Sequence, residues 1–329
     1  MLWARERREH PLFAHGRKEA PVPVEPVKVV WVDGELVDWD EARIPILTHA
    51  LHYGTGVFEG IRAYDTRHGT AVFRLPEHVR RLFRSAHLYQ MEVPFSSEAI
   101  HDGIRETVRA NEMEACYIRP LVHRGYGEMG LNPLNAPVNV SISVWHWGVY
   151  LGEEALEKGA RVKISSWKRL DPNVIPPGAK ATGQYINSGL AKVEAVKAGY
   201  DEAIMLNQSG YVTDGTGENV FVIKDGELLT PPLSAGCLDG ITRDSVMTIA
   251  RDLGYTVHEK NLVRTDLYFA DEAFFTGTAA EVCPIKEIDD RAVASDGRGP
   301  ITKEIQSEFF AAVHGENDRY SDWLTPVAD

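Results

Sequence analysis

The chain has 329 residues, 43% of them hydrophobic and 25% charged, which is the composition of a folded protein long enough for two domains and excludes the disordered and collagen-like classes. Its net charge is −13 and no block of basic residues occurs, so a polyanion has no electrostatic footprint to bind and nucleic acid is excluded as a partner. Three widely spaced cysteines, Cys116, Cys237 and Cys283, show no C-x-x-C pattern; they exclude a disulfide framework or zinc ribbon and read as buried thiols in a reducing cytoplasm, with no metal site expected.

Residues 1–26 read as a polar, proline-punctuated arm, expected to order only against a partner subunit. Its arginines precede no apolar run, so a signal-peptide core is not expected, and no later window reaches transmembrane length. The run VKVVWVDGELVDW alternates on both sides of Asp33-Gly34, the strongest short signal for a hairpin. From Pro76 the apolar residues Val79, Leu82, Phe83, Ala86 and Tyr89 recur at helical spacing, with arginines between them facing out or toward a ligand. A second helix is expected over 97–111, followed by strands in CYIRPLVHRGYG and VNVSISVWHWG. These elements predict an α+β domain with an antiparallel sheet over residues 27–147.

The segment WGVYLGEEALEKG breaks the strand pattern with glycines and turns acidic, and its residues 148–156 are expected to connect the domains. A second domain, 157–329, opens with the strand RVKISSW and passes through a Pro/Gly loop at 175–185 into the helix INSGLAKVEAVKAG. Short strands follow in EAIMLN, GYVTDG and ENVFVIKDGELLTPP, then a helix opening near Thr242 with Thr242 or the residue before it as cap. A strand EAFFTGT comes next, and a last helix from about 301 carries Ile305, Phe309, Phe310 and Val313 on one face. Strands joined by short turns disfavour a parallel doubly wound fold.

The chemistry centres on Lys180. In IPPGAKATGQY it is bracketed by Pro176, Pro177, Gly178 and Gly183, so a stiff loop flanked by small residues positions its amine, as a Schiff-base lysine requires. An aldehyde cofactor held there needs a carboxylate for a ring nitrogen, a phosphate site and a substrate anchor. Asp214, among glycines at a strand end in YVTDGTGENVF, can offer the carboxylate; Glu218 is its local competitor. Gly240, Ile241 and Thr242 open a helix whose free N–H groups suit a phosphate. Gly277 and Thr278 in GTAAE form a second candidate, and Arg81, among Arg80 and Arg84 on the first helix, can supply countercharge. Each of these arginines also reads as part of a solvated helix face.

The motifs HALHYGTGVFEGIRAY, YIRPL, MGLNP, WGVYLG, AKATGQYINS, GENVFVIKDG, GITRD and TGTAAE stand in order over residues 27–329. In this the chain resembles the branched-chain amino acid aminotransferases among the fold type IV pyridoxal-phosphate enzymes. The resemblance implies a small α/β-sandwich N-terminal domain and a larger pseudo-barrel C-terminal domain. It implies that Lys180 carries pyridoxal 5'-phosphate and later shuttles a proton between the substrate Cα and cofactor C4′. Tyr185 would hydrogen-bond the phenolic oxygen, Asp214 the ring nitrogen; Arg81, Ile241, Thr242 and Thr278 would hold the phosphate, with Leu238 against the ring. Tyr117, Thr278 and Ala279 would take the α-carboxylate. Phe58, Trp147 and Tyr150, with Tyr53 and Leu131 from a neighbouring subunit, would wall the side-chain pocket, and Arg119, on the same strand face as Tyr117, would receive the distal carboxylate of glutamate. The implied reaction moves the amino group of leucine, isoleucine or valine to 2-oxoglutarate in a cytoplasmic homodimer or trimer of dimers, away from any membrane.

The sequence departs from the family's usual glutamate at Asp214, its proline at Asp239, and its glycine/valine-rich run at Gly125-Tyr126-Gly127-Glu128. Alternative readings are a D-amino acid or (R)-amine transaminase, an aminodeoxychorismate-lyase-like enzyme, and a cofactor-binding protein without turnover.

Overall fold

The computed structural model describes residues 24–148, 150–294 and 297–328; most of the expected N-terminal arm, residues 1–23, lies outside them. The Asp33-Gly34 hairpin forms from β1 (Val29–Val32) and β2 (Glu35–Asp38). Both turn residues have positive φ, 47° and 103°, the geometry of a primed turn that matches strand twist. Next come α1 (His49–Tyr53), β3 (Gly56–Phe58), β4 (Ile61–Thr66), β5 (Gly69–Phe73), α2 (Leu75–Leu88) and α3 (Ser97–Ala110), then β6 (Cys116–Arg124) and β7 (Val138–Trp145). Period-two alternation in β6 and β7 turns Ile118, Val122, Val140, Ile142 and Val144 to one face, where Leu82 of α2 and Ile104 of α3 bury them. Tyr117 and Arg119 therefore point from the opposite face of β6.

The second half contains α4 (Glu153–Lys158), β8 (Ala160–Lys168), α5 (Tyr185–Lys197), β9 (Glu202–Leu206), β10 (Val212–Gly215), β11 (Asn219–Lys224) and β12 (Glu227–Thr230). After these come α6 (Ile241–Asp252), β13 (Val257–Glu259), α7 (Arg264–Tyr268), β14 (Glu272–Gly277), β15 (Glu281–Ile288), β16 (Arg291–Ala292), α8 (Pro300–Val313) and β17 (Leu324–Pro326). A nine-stranded sheet runs β10-β9-β8-β15-β14-β11-β12-β13, with β16 beside β15. It is mixed: β8 lies parallel to β9 and β15, whereas the hairpin neighbours are antiparallel. The α+β class holds, and the sheet is not the doubly wound kind.

Three details depart from the sequence reading. The expected connection contains a helix, α4, too short and acidic to show an apolar stripe. The cap of α6 is Gly240, so Ile241 and Thr242 are the first helical residues and not the cap. The end of the chain also recrosses the molecule: β17 pairs with β5, extending the first sheet, ordered β17-β5-β4-β6-β7-β1-β2 with β3 on β6. A three-residue Leu-Thr-Pro strand carries no pattern that names so distant a partner.

The two halves share a core. Phe221 and Phe274 stack at 5.0 Å and pack with Val246 and Ile249 of α6, Ile305 and Phe309 of α8, and Tyr64 and Phe73 of the first sheet. This shared apolar layer holds β3, β6, α2 and α6 in fixed relation around one cleft.

Candidate active site

The Pro/Gly loop after β8 is clamped between the halves. Phe58 N–H donates to the Lys180 carbonyl at 3.0 Å, Lys180 N–H donates to Ser85 Oγ at 3.1 Å, and Ala181 bridges to Val57. Gly54, at φ 66°, lies so close that a Cβ there would sit 2.8 Å from Gly183 Cα, which explains a glycine at each position. The half-buried Lys180 side chain ends 5.3 Å from the Phe58 ring centre and 5.7 Å from that of Tyr185. Among the described residues no carboxylate pairs with its Nζ. No ion pair has to break before this amine bonds to carbon.

Those rings belong to a larger aromatic box. Phe58 and Tyr185 are 5.0 Å apart, Tyr117 is 4.4 Å from Trp147, and Trp147 is 5.8 Å from Tyr150. The Arg119 guanidinium lies over Phe58 at 4.4 Å and over Tyr117 and Trp145 at 5.4 Å. Its Nε is buried without a hydrogen-bond partner. A cation stacked among rings, with donor capacity to spare and no acid paired with it among the described residues, is equipped to receive a ligand carboxylate.

On the other side of Lys180, α2 presents Arg81 to the start of α6. Arg81 Nη1 donates to the Asp239 carbonyl at 2.6 Å, while Nε and Nη2 form a fork on Glu59 at 2.6 and 2.7 Å. His78 Nδ1, one helical turn earlier, is 2.8 Å from the same carboxylate. Burial alone would push Glu59 up, but the charge and hydrogen bonds of Arg81, with those of His78, outweigh it and hold the carboxyl well below the usual range. Burial lowers His78, against the pull of Glu59. No side chain caps α6 at Gly240, and a Cβ on Gly240 would fall 1.9 Å from Asn219 Oδ1. Bare backbone N–H groups beside an oriented guanidinium form a phosphate cradle.

Asp214 closes the cleft from β10, which it lines together with Tyr185 and Leu238. Its Oδ1 accepts from Arg169 Nε at 2.8 Å and from Thr213 Oγ1 at 2.8 Å. Burial raises Asp214, and Arg169 with Thr213 opposes that rise. Glu218 lines the same cleft without an arginine; burial first and the charge of Glu202 second push it up to about 8. The two acids therefore differ at neutral pH: Asp214 has a fixed countercharge, whereas Glu218 is neutral. Opposite them, Gly277, Thr278 and Ala279 turn from β14 into β15. Gly277 lies against the turn at Gly217 and Glu218. Glu281, at φ 56°, accepts from Tyr64 at 3.0 Å and pairs with Arg62 at 2.9 Å, and Arg62 reaches the Gly148 carbonyl at 3.2 Å. That chain of contacts ties the turn to the loop carrying Trp147.

The model for amino-transferase class IV matches residues 56–288, a span that contains every element of this cleft. The chain belongs to the class IV amino-transferases. It is similar to the branched-chain-amino-acid aminotransferase of Pseudomonas aeruginosa, 50% identical over 299 residues that cover 91% of this chain and 97% of that one. Among solved structures it is similar to the branched-chain amino acid aminotransferase of Escherichia coli, with TM-score 0.90, 45% identity, and coverage of 92% and 99%. It is also similar to the T.th. branched-chain amino acid aminotransferase complexed with N-(5'-phosphopyridoxyl)-L-glutamate, with TM-score 0.88, 48% identity, and coverage of 92% and 99%.

In this aminotransferase Phe58, Lys180, Tyr185, Tyr117, Arg119, Trp147 and Tyr150 form one chain of contacts; Arg81 meets the α6 terminus, and Asp214 and Leu238 share a cleft with Tyr185. Tyr53 and Leu131 stand outside it, 44% and 87% exposed. Four residues that sequence reasoning passed over support the site: Glu59, His78, Arg169 and Trp145. His78 could have been found, because it stands one turn before Arg81 on α2; the others meet their partners only in three dimensions. An amine that no carboxylate pairs with among the described residues, an acid lining a cleft with Tyr185 and Leu238, and a helix start without a side-chain cap beside an arginine together fit pyridoxal 5'-phosphate.

Proposed function

We infer that this chain is a pyridoxal-phosphate-dependent transaminase that moves the amino group of leucine, isoleucine or valine to 2-oxoglutarate. The observation that carries it is the Arg119 guanidinium stacked inside an aromatic box that also contains Phe58 and opens on Lys180. One pocket must accept an apolar chain from one substrate and a carboxylate from the next. Ring faces suit the first, and an arginine with an unpartnered buried Nε suits the second. Its solved relative, complexed with a phosphopyridoxyl-glutamate, supports glutamate as the second product.

The bound cofactor supplies an aldehyde carbon and a ring that withdraws electrons from the substrate Cα. Lys180 would hold it through its amine and, once the substrate amine takes that place and frees the lysine, would be the base that moves the proton between Cα and C4′. Asp214 would keep a proton on the pyridine nitrogen, and Tyr185 would donate to the phenolic oxygen. Arg81 and the N–H groups of Ile241 and Thr242, with Thr278, would hold the phosphate; Gly240 and Gly277 would let backbone approach it, and Leu238 would pack on the ring. Tyr117, Thr278 and Ala279 receive the α-carboxylate, while Trp147 and Tyr150 exclude water from the apolar end.

A homodimer completes the pocket in this reading. Ile46, Ile186 and Leu131 are 78%, 73% and 87% exposed, an apolar surface expected to be covered by a second copy, which then receives Tyr53 and Leu131 at its site. Three free buried thiols suit a cytoplasmic enzyme, and among the described residues no helix is long and apolar enough to cross a membrane. The test is turnover of L-leucine with 2-oxoglutarate by the purified, cofactor-loaded protein. Glutamate should accumulate with one 4-methyl-2-oxopentanoate per glutamate; no glutamate, or equal turnover of D-leucine, contradicts the assignment.

A further inference from the structure

Arg169 follows directly on β8 and is buried. Its three nitrogens are all engaged. Nε and Nη2 lie 2.8 and 2.7 Å from the same oxygen of Asp214, Oδ1. Nη2 also donates to the Gly215 carbonyl at 2.5 Å, and Nη1 donates to Ser188 Oγ on α5 at 3.0 Å. Oδ1 thus takes both arginine donors, and Thr213 Oγ1, whose one proton is shared between it and the Met205 carbonyl at 2.9 Å, lies 2.8 Å from it. Oδ2 has no side-chain donor among the described residues; the Leu238 N–H also favours this carboxylate, and Asp214 lines the cleft shared with Tyr185 and Leu238. The geometry points to Arg169 as a positioning residue for the cofactor's pyridine nitrogen: it fixes the short Asp214 side chain by one oxygen and leaves the other to face the cleft as an anion.

This inference rests on the reading that Asp214, not Glu218, meets the ring nitrogen, and it supplies a reason for that choice. Both acids are buried on the same wall. Glu218 accepts from Gly217 N–H at 3.0 Å and, among the described residues, is otherwise favoured as an anion by the charge of Lys192; that lysine is bonded at 3.1 Å to Glu202, which also accepts from Thr216 Oγ1 at 2.8 Å. Asp214 alone of the two owns a guanidinium. An aspartate is one methylene shorter than a glutamate, so its carboxylate has fewer torsions with which to find the nitrogen. Anchoring from behind, to strand backbone and to α5 at once, replaces that reach with fixed aim.

The groups facing Asp214 are Arg169 and Thr213, Glu218 from the turn before β11, Cys237 from the stretch before α6, and Tyr185 across the cleft. Among these only Arg169 is cationic. Replacing it removes the one charge that favours the Asp214 anion against burial.

The experiment compares Arg169→Met, Arg169→Lys, Asp214→Asn and the Arg169→Met/Asp214→Asn pair. It measures the affinity of each apoprotein for pyridoxal phosphate between pH 5 and 9, alongside the L-leucine half-reaction. Arg169→Met should weaken cofactor binding at pH 7 at least about tenfold and move the acid limb of the affinity profile upward by roughly one to three units, because an arginine beside an aspartate lowers its pKa by that much. Arg169→Lys, which retains the charge, should leave the limb within about half a unit of the parent while losing part of the affinity. In the Asp214→Asn background, Arg169→Met should change affinity by less than about twofold, since a residue acting only through Asp214 has nothing left to act on. Equal losses from Arg169→Met in both backgrounds, or an unmoved acid limb, would overturn the inference and leave Arg169 a strut. Should Asp214→Asn itself leave pyridoxal phosphate affinity intact, the assignment of Asp214 fails instead. If Arg169→Met does not fold, the Arg169→Lys profile decides: a limb shifted as far as that expected for Arg169→Met overturns the proposal.

Discussion

Glu59→Gln tests the scaffold beneath the phosphate site. Glu59 is fully buried and accepts three hydrogen bonds, two from the Arg81 fork at 2.6 and 2.7 Å and one from His78 at 2.8 Å. Glutamine preserves the shape but removes the charge and turns an amide donor toward another donor. The guanidinium, itself buried, is left without its anion. Breaking a buried pair on one side destabilises by about 3–5 kcal/mol. Urea unfolding of the apoprotein at pH 7 measures the difference. The carboxyl of Glu59 is held far below its unfolded value of 4.5, so its contribution is fully present above that value and fades as pH falls toward the folded one. The gap between parent and variant should therefore be constant from pH 6 to 8 and narrow below about pH 4.5. A gap under about 1 kcal/mol at pH 7 would refute the claim that Glu59 sets Arg81.

Arg119→Gln should raise KM for 2-oxoglutarate by about 10- to 100-fold, the worth of a charge-assisted carboxylate bond, while the leucine half-reaction keeps most of its rate; stopped-flow traces with each substrate separate the two. Gly240→Ala places a Cβ 1.9 Å from Asn219 Oδ1, so the start of α6 must move. Cofactor affinity measured by equilibrium dialysis should fall about tenfold, and unchanged affinity would remove α6 from the phosphate site. Glu218, raised to about 8 by burial and by Glu202, favours folding below its unfolded pKa and loses that contribution as pH rises toward 8. Glu218→Gln should therefore gain stability relative to the parent between pH 5 and 9 in thermal melts and retain transamination, whereas Asp214→Ala should lose most of it.

Much of the cleft was legible from sequence because its residues carry local signatures. Lys180 announced itself through Pro176, Pro177, Gly178 and Gly183, which hold a loop against β3 and α2. Asp214 stood out as an acid at a strand end among glycines, and the Asp33-Gly34 turn gave its hairpin through the φ > 0 that both residues adopt. The supporting shell was hidden because it is assembled by long-range pairing. Arg169 meets Asp214 45 positions on, and Tyr64 meets Glu281 217 positions on; neither spacing belongs to any helix or strand period. The cap of α6 was misplaced because a threonine hydroxyl offers a capping oxygen that glycine lacks, whereas here a side chain at 240 would collide with Asn219. β17 escaped because pairing of the chain end with β5 is a tertiary event that three residues cannot encode.

The central claim is that Lys180 makes the covalent bond to pyridoxal phosphate. Borohydride reduction of the cofactor-loaded enzyme, followed by peptide mapping with mass spectrometry, reads it directly. The account predicts a single phosphopyridoxyl label, on the lysine of the IPPGAKATGQY segment; a label on any other lysine, or none, would contradict it.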